Sequence, residues 1–433
     1  RAKNIPSSSA IPYLRRRPAS FKLMIASLLT KGESRLLNFS KIVDVEITKK
    51  IIKSLGAEVK KCGERTLFIN SSRIITSIVP KNLGLASRAS TMFVGPLLAR
   101  LKRAVVPLPG GDKIGKRPLD RHFAGLKALG AKVKFTNGMF EVSAPKLKGA
   151  YYKFPKNSHT GTETTIMAAV SAEGKTILDN AAQEPEVDEL IRFLNKMGAK
   201  IKRIKPRKIE ITGVKQLKPV IYKIMPDRNE AVSYAVAAIA TRGDIIVENA
   251  VKAHLASFLD QLEKAGAGFE IGNYGIRFFY KGRLKATDII TQPHPKFMTD
   301  WQPLWSVLAT QSHGRTTIIE AISLNRFQYV PCLQKMGAKI SFIQPTPEDP
   351  EEFYNFNLEN DHPEFYHGVQ IQGPTYLKAV KAKIPDLRAG ATLAVAGLVA
   401  KGETVLSGVE QIDRGYENLG GRLLELGANI KRQ

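Results

Sequence analysis

"VDELIRFLNKMGAKIK", residues 187–202, carries the pattern on which the fold turns. Val187, Leu190, Ile191, Leu194 and Met197 fall at i, i+3, i+4, i+7 and i+10, so one face of a helix is apolar. Gly198 then ends that helix, because glycine alone takes the left-handed cap without a Cβ penalty. The residues after it alternate apolar and polar, as a strand does. The same phrase recurs as "SLGAEVK" at Gly56, "ALGAKVK" at Gly130, "KAGAGFE" at Gly266, "KMGAKIS" at Gly337 and "ELGANIK" at Gly427. Six copies therefore stand at intervals of roughly 70 residues, longer than the 20 to 50 of linear solenoids, which favours compact units clustered about an axis.

A second phrase precedes that amphipathic helix: "ASLLTKGESRLLNF", "AAVSAEGKTILDNA", "AAIATRGDIIVENA", "SVLATQSHGRTTIIEAI" and "AGLVAKGETVLSGV". Each is an alanine-rich helix apolar on nearly all sides, hence buried, running through a turn into a strand. The unit is helix, strand, helix, strand and further strands, which places the chain in the α/β (α+β) class. Three copies precede residue 215 and three follow 227, and the stretch between lacks the helical phrase. Two three-unit lobes follow, 4–225 and 226–433, the second including residues 1–3. Residues 342–368, rich in proline, acids and aromatics, read as a surface insertion, and 5–18 as a turn-rich excursion carrying three consecutive arginines.

The 433 residues are 43% hydrophobic, enough for two buried cores. Cys62 and Cys332 stand far apart with no metal-ligand spacing, which argues against a disulfide framework or a zinc site and fits a reducing, cytoplasmic setting. No run of 18 apolar residues exists, so no membrane span is expected. "YLRRRPASFKLMIASLL" imitates a signal peptide, but Lys22 interrupts its apolar part and it reads as soluble helix. The 66 Lys+Arg against 39 Asp+Glu leave a net charge of +27, a polyanion-binding signal in principle. Apart from those three arginines the cations are mostly scattered along the chain, without the interleaved aromatics on which bases stack, which argues against nucleic acid as the partner.

Read with the six-fold unit, "LPGGDKIGKRPLD" (108–120), "SHTGTE" (158–163), "EPE" (184–186), "MPDRNEA" (225–231), "HPKFMTD" (294–300), "LNRF" (324–327), "PDLRAGA" (385–391) and "IDRGYE" (412–417) run in order along the chain. Together they resemble the UDP-N-acetylglucosamine 1-carboxyvinyltransferases, enolpyruvyl transferases that begin peptidoglycan precursor synthesis. The resemblance implies two inside-out, barrel-like α/β domains of three repeats each, closing around the substrates. It implies transfer of the enolpyruvyl group of phosphoenolpyruvate to the 3′-hydroxyl of UDP-N-acetylglucosamine, with release of phosphate and no metal or organic cofactor. The sister reaction on shikimate 3-phosphate is the alternative, and an inactive, polyanion-binding relative a further one. The sequence assigns no oligomeric state.

An anionic donor carrying phosphate and carboxylate needs several guanidinium groups, whose planar geometry suits such anions. By resemblance Arg88, Arg117 and Arg388 supply them, with Lys3 and Asn4 in the family's "GAKN" position. The chemistry also needs a proton for the methylene carbon and a base for the attacking hydroxyl. The resemblance gives the acid role to Asp112, where the family more often has cysteine, and the base role to Asp300. Asp300 also stands where a helix N-cap would, before "WQPLWSVLATQ". The nucleotide side falls to Arg117, Pro118, Leu119, Asp120 and Arg121, to Asn157, Ser158, His159 and Thr160, and to Ile322. Glu184 and Glu186 read first as acids complementing a helix dipole. At position 324 a leucine replaces the family's more usual acid. With no loop thiol to alkylate, the chain is expected to resist the epoxide fosfomycin.

Overall fold

The computed structural model describes residues 9–11, 18–111 and 114–432. All six repeat glycines carry the left-handed conformation that the phrase requires, with φ between +75° at Gly266 and +102° at Gly198. The chain divides into two compact units, one holding 18–111 and 117–225, the other 9–11, 114–116 and 226–432. Each has its own hydrophobic core.

One repeat shows how the pattern builds its layers. Strand Tyr151–Lys153 leads through helix His159–Ala169 to strand Lys175–Asp179, and helix Pro185–Lys196 leads on to the hairpin Lys200–Lys205 and Lys208–Thr212. The first strand pairs parallel to the second at the sheet edge, and the remaining pairs are antiparallel. Six open sheets occur among the described residues, three in each unit: four have this four-stranded form, one is a three-stranded antiparallel sheet and one a two-stranded parallel pair, and none closes into a barrel. In the 18–225 unit, strand Ile221–Lys223 returns to pair with Glu33–Leu37 of the first repeat. The second unit takes its corresponding edge strand, Ser9–Ile11, from within the 5–18 stretch, and pairs it parallel to Asp244–Glu248.

The alanine-rich helices are the interior. Every residue of Arg228–Ala240 is buried, and this helix packs with Gln302–Gln311 and Leu387–Val399. Small side chains allow the close approach: in the other unit a Cβ on Gly95 would lie 2.8 Å from the Thr164 carbonyl oxygen of the facing helix. The sheets lie outside, buried on one face only, as the alternation in Lys208–Thr212 shows. Outer faces of the sheets carry cations, as Lys200–Lys205 shows by burying Ile201 and exposing Lys200, Lys202 and Lys205. The described part of the signal-like segment, 18–29, forms helix Pro18–Ala26 and a turn at Ser27–Leu29, and no helix among the described residues is long and apolar enough to cross a membrane.

Arg100 ties three chain segments of its unit together, its Nη1 donating to the carbonyls of Leu28, Thr30 and Ser71 at 3.0, 2.8 and 2.6 Å. Arg100→Leu leaves those acceptors without their donor and is expected to cost about 3 kcal/mol, read as a lower urea midpoint for this unit. An unchanged midpoint would show that water replaces the guanidinium at no cost.

Residues 344–367 connect strands Lys339–Ile343 and Gly368–Gly373 and are anchored rather than loosely superficial. The Tyr354 and Phe356 rings stack with centroids 4.7 Å apart and are buried with Ala321 and Leu324. The Asn355 N–H donates to the Ala321 carbonyl at 2.7 Å, and His367 pairs with Asp361 at 2.9 Å. An acid at position 324 would have to lose its hydration inside this aromatic cluster, which accounts for the leucine there.

Candidate active site

The sequence-derived site residues that the structure describes form two groups, one in each unit. In the 18–225 unit, strand Arg103–Pro107 runs into the glycine turn, where the chain passes beside two arginines. At Gly111, with φ +122°, a Cβ would lie 2.8 Å from Arg117 Nη2 and 3.4 Å from Arg88 Cβ, so a larger residue would displace the guanidinium. Arg88 opens a 3-10 turn whose cap is Ser87, and its Nη1 donates to the Arg117 carbonyl at 3.0 Å. Burial, and then the neighbouring Arg117, pushes the Arg88 pKa down to about 9, with Asp120 opposing. A cation strained in this way by burial and like charge gains stability when an anion arrives.

Helix Asp120–Ala128 starts directly after Pro118 and Leu119. The Leu119 side chain enters the core, so this residue can meet a ligand mainly through its backbone. Asp120 sits in the first helical turn, where a carboxylate complements the dipole. Arg121 Nη1 donates to the Asn157 carbonyl at 3.0 Å, and Asn157 in turn donates to the Asn180 carbonyl at 3.3 Å. Ser158 caps helix His159–Ala169 through its Oγ, which accepts from the Gly161 N–H at 3.2 Å. Thr160 Oγ1 meets His122 Nε2 at 2.8 Å. Burial first, and then Arg88 and Arg121, drives the His122 pKa to about 3, so this ring is neutral. Arg121 is thus bonded to Asn157 and His122 to Thr160, while the Ser158 hydroxyl is committed to the helix.

His159 points to a different pair. Its Nε2 lies 2.8 Å from Lys22 Nζ, and Lys22 bonds Glu163 at 2.6 Å. Burial works against the charge on Glu163, but Lys22 and His159 outweigh it and hold the carboxyl below its ordinary range. Glu184 occupies the N-cap position of helix Pro185–Lys196 without a side-chain cap bond, and Glu186 is buried in its first turn.

In the second unit the centre is Asp300. Its Oδ1 receives Arg326 Nη2 at 2.6 Å and its Oδ2 receives Arg388 Nη2 at 2.7 Å. Both arginines are almost fully buried, whereas Asp300 keeps 30% of its side chain exposed. The N-cap expectation gives way here: helix Gln302–Gln311 has Trp301 at its cap position with no side-chain cap bond. Arg388 also donates to Tyr416 Oη at 3.0 Å, and that hydroxyl lies 2.8 Å from Ser233 Oγ. Burial opposes the charge on Arg388, but Asp300 and Tyr416 outweigh it and raise the pKa. Trp301, next to the acid, is held by Asn229 Oδ1 at 2.9 Å.

Glu320 braces the same place from below. Its carboxylate accepts from the hydroxyls of Thr291 and Thr299 and from the N–H groups of Ile322 and Ser323, at 2.9 to 3.0 Å. Burial pushes its pKa up despite Arg326 and these bonds. This arrangement fixes the turn that presents the half-buried Ile322. Beyond it, the Ile114 carbonyl accepts from the Asn325 N–H at 3.3 Å, and a Cβ on Gly115 would lie 2.7 Å from Leu324 Cβ.

Lys3, Asn4 and Asp112 lie outside the described residues. The sequence reading passed over His122, the last residue of "RPLDRH", and Glu320, an acid closing the apolar strand "TTIIE". It also passed over the pairing of Lys22, although a lone cation in an apolar run was the available signal. Arg326 was legible as part of "LNRF" but not as half of a clamp. Among the described residues no group of three or more His, Cys, Asp or Glu side chains is arranged to hold a metal ion.

The sequence profile of the family described as EPSP synthase (3-phosphoshikimate 1-carboxyvinyltransferase) matches residues 17–423. A UDP-N-acetylglucosamine 1-carboxyvinyltransferase 1 of Carboxydothermus hydrogenoformans is 41% identical over 96% of this chain and 93% of its own. Proteins named UDP-N-acetylglucosamine 1-carboxyvinyltransferase from Desulfatibacillum aliphaticivorans and Myxococcus xanthus are 40% and 38% identical, each over 96% of this chain and 94% of their own. Among solved structures, the enolpyruvyl transferase NikO from Streptomyces tendae superposes with a TM-score of 0.83 at 20% identity, covering 98% of this chain and 96% of that one. EPSP synthase from Acinetobacter baumannii superposes with a TM-score of 0.72 at 18% identity, covering all of this chain and 99% of its own. The two structures establish the shared fold.

Proposed function

The chain belongs to the EPSP synthase family and within it to the UDP-N-acetylglucosamine 1-carboxyvinyltransferases, and from that premise we propose how its residues divide the work of enolpyruvyl transfer. It is a transferase of peptidoglycan precursor synthesis, moving the enolpyruvyl group of phosphoenolpyruvate to the 3′-hydroxyl of UDP-N-acetylglucosamine. We place it in the cytoplasm, the reducing setting that its two widely separated cysteines suit.

The observation that carries the assignment of roles is the carboxylate of Asp300 held by two buried guanidiniums. A carboxylate has lone-pair capacity beyond one bond on each oxygen, and the clamp fixes the orientation in which a hydroxyl meets it. Asp300 takes the proton of the 3′-hydroxyl as its oxygen bonds the central carbon of phosphoenolpyruvate. Asp112 delivers a proton to the methylene carbon. Loss of a proton from that methyl group and of phosphate from the central carbon then regenerates the double bond. Arg88, Arg117 and Arg388, with Lys3, meet the anionic donor, and Asn4 the sugar. The nucleotide is met by residues 117–121, by Asn157, Ser158, His159 and Thr160, and by Ile322.

A coupled phosphate-release assay tests the substrate pair. Phosphate is expected only when phosphoenolpyruvate and UDP-N-acetylglucosamine are both present, with shikimate 3-phosphate unable to replace the nucleotide sugar. Release with shikimate 3-phosphate at comparable kcat/KM would overturn the acceptor assignment. The excess positive charge is read as surface composition; a steep salt dependence of binding to a DNA duplex would contradict that.

A further inference from the structure

Lys22, Glu163 and His159 meet inside the 18–225 unit, and the proposed chemistry gives Lys22 and Glu163 no part. Lys22 Nζ is 2.6 Å from Glu163 Oε1 and 2.8 Å from His159 Nε2, and the ring nitrogen is 3.3 Å from the same carboxylate oxygen. The lysine and glutamate side chains are 3% and 0% exposed, while the imidazole keeps 27% of its surface. Two charges buried to this degree among "FKLMIA" and "TGTETTIM" are costly, and the cost is offset only while they stay paired.

The contact geometry constrains the ring. An ammonium group only donates, so a neutral His159 must accept from Lys22 at Nε2 and carry its proton on Nδ1. If the ring takes a second proton, which Glu163 and Glu184 favour while burial and Lys22 oppose it, the new Nε2–H turns to Glu163 and Nδ1 keeps its hydrogen. In either state Nδ1 is a donor. The ring stands at the first position of helix His159–Ala169, in the turn whose Asn157 carbonyl is held by Arg121. A helix start with a cation beside it favours oxygen acceptors and anions.

We propose that the buried Lys22–Glu163 pair is a positioning device that keeps His159 a permanent Nδ1–H donor to an acceptor oxygen of the uridine diphosphate part of the substrate. This rests on the nucleotide-sugar reading above and adds to it a residue in the middle of a buried helix. The shared chemistry is an oxygen acceptor, supplied either by the uracil carbonyl or by the diphosphate.

Ring ¹⁵N spectra of the whole protein test the device without reference to turnover, with the His159 signals identified by their loss in His159→Asn. Between pH 5 and 9 the wild type is expected to show Nδ1 protonated throughout, and Lys22→Met to show the neutral Nε2–H form. Should the lone Glu163 prevent Lys22→Met from folding, Lys22→Met with Glu163→Gln removes both charges and carries the same expectation. In kinetics, Lys22→Met and His159→Phe are each expected to raise KM for UDP-N-acetylglucosamine about tenfold, the scale of one lost hydrogen bond to a ligand, with kcat little changed. His159→Asn, whose amide nitrogen lies near the place of Nδ1, should restore most of the affinity. Calorimetry with uridine and with UDP separates the sources: His159→Phe weakens both if the uracil carbonyl is the acceptor, and UDP alone if the diphosphate is. An Nε2–H tautomer in the wild type, or an unchanged affinity for both ligands in His159→Phe, overturns the proposal. Absence of turnover with UDP-N-acetylglucosamine would instead overturn the functional reading and leave the spectral result standing.

Discussion

Asp300→Ala is expected to lower kcat for phosphate release by about a thousandfold, within the range that a positioned general base contributes. The substitution removes more than a base. Arg326 and Arg388, almost fully buried, lose the carboxylate that both of them bond, and breaking a buried pair from one side typically costs about 3–5 kcal/mol. A drop in activity could then come from local rearrangement. Asp300→Asn keeps the shape and one acceptor oxygen, so it is expected to unfold closer to the wild type while losing kcat to a similar extent. The comparison decides between the roles: kcat within tenfold of wild type in the asparagine variant would make Asp300 a structural anchor of two arginines and nothing more.

Asp112→Ala is expected to abolish detectable product formation, because no other acid in the glycine turn can protonate the methylene carbon. A free aspartate has a pKa near 3.9, and the cations that follow it in the sequence, Lys113, Lys116 and Arg117, are expected to lower it further. A proton donor must be protonated when it acts. Bound phosphoenolpyruvate brings two anionic groups that cancel the positive field, so the carboxyl pKa should rise in the ternary complex. The sign follows: activity falls as pH rises through that pKa, and this descending limb should lie at higher pH in kcat than in kcat/KM. Flat profiles above pH 5 with full activity in Asp112→Ala would remove the acid assignment. Asp112→Cys adds a qualitative check, since the wild type should resist fosfomycin and the thiol variant should be alkylated by it.

The comparison of loop and clamp also shows what was readable in the chain. The motifs "HPKFMTD", "LNRF" and "PDLRAGA" were visible as separate phrases, and Asp300 and Arg388 were assigned from them. Their meeting was not visible, since Arg388 lies 88 positions from Asp300 and no local periodicity encodes that distance. Leu324 and the 342–368 segment read as two unrelated departures, yet Tyr354 and Phe356 pack on that leucine and make them one feature. The turn-rich stretch 5–18 concealed a strand, because three extended residues gain their stability from the neighbouring Asp244–Glu248 and not from their own composition.

By itself the sequence determined the repeat. Helix faces, glycine caps and the alternation of strands are short-range properties, and six left-handed glycines appear where six phrases placed them. Two lobes were the expectation from the spacing of those phrases, and the chemistry was the expectation from the family that the motifs in order resemble. Tertiary structure alone decided which charges found partners: Lys22, read as an interruption of an apolar run, is buried against Glu163 and His159, the latter 137 residues away. Burial makes an ion pair obligatory, but the identity of the partner depends on which helices lie side by side, and that is settled only when the whole core is packed.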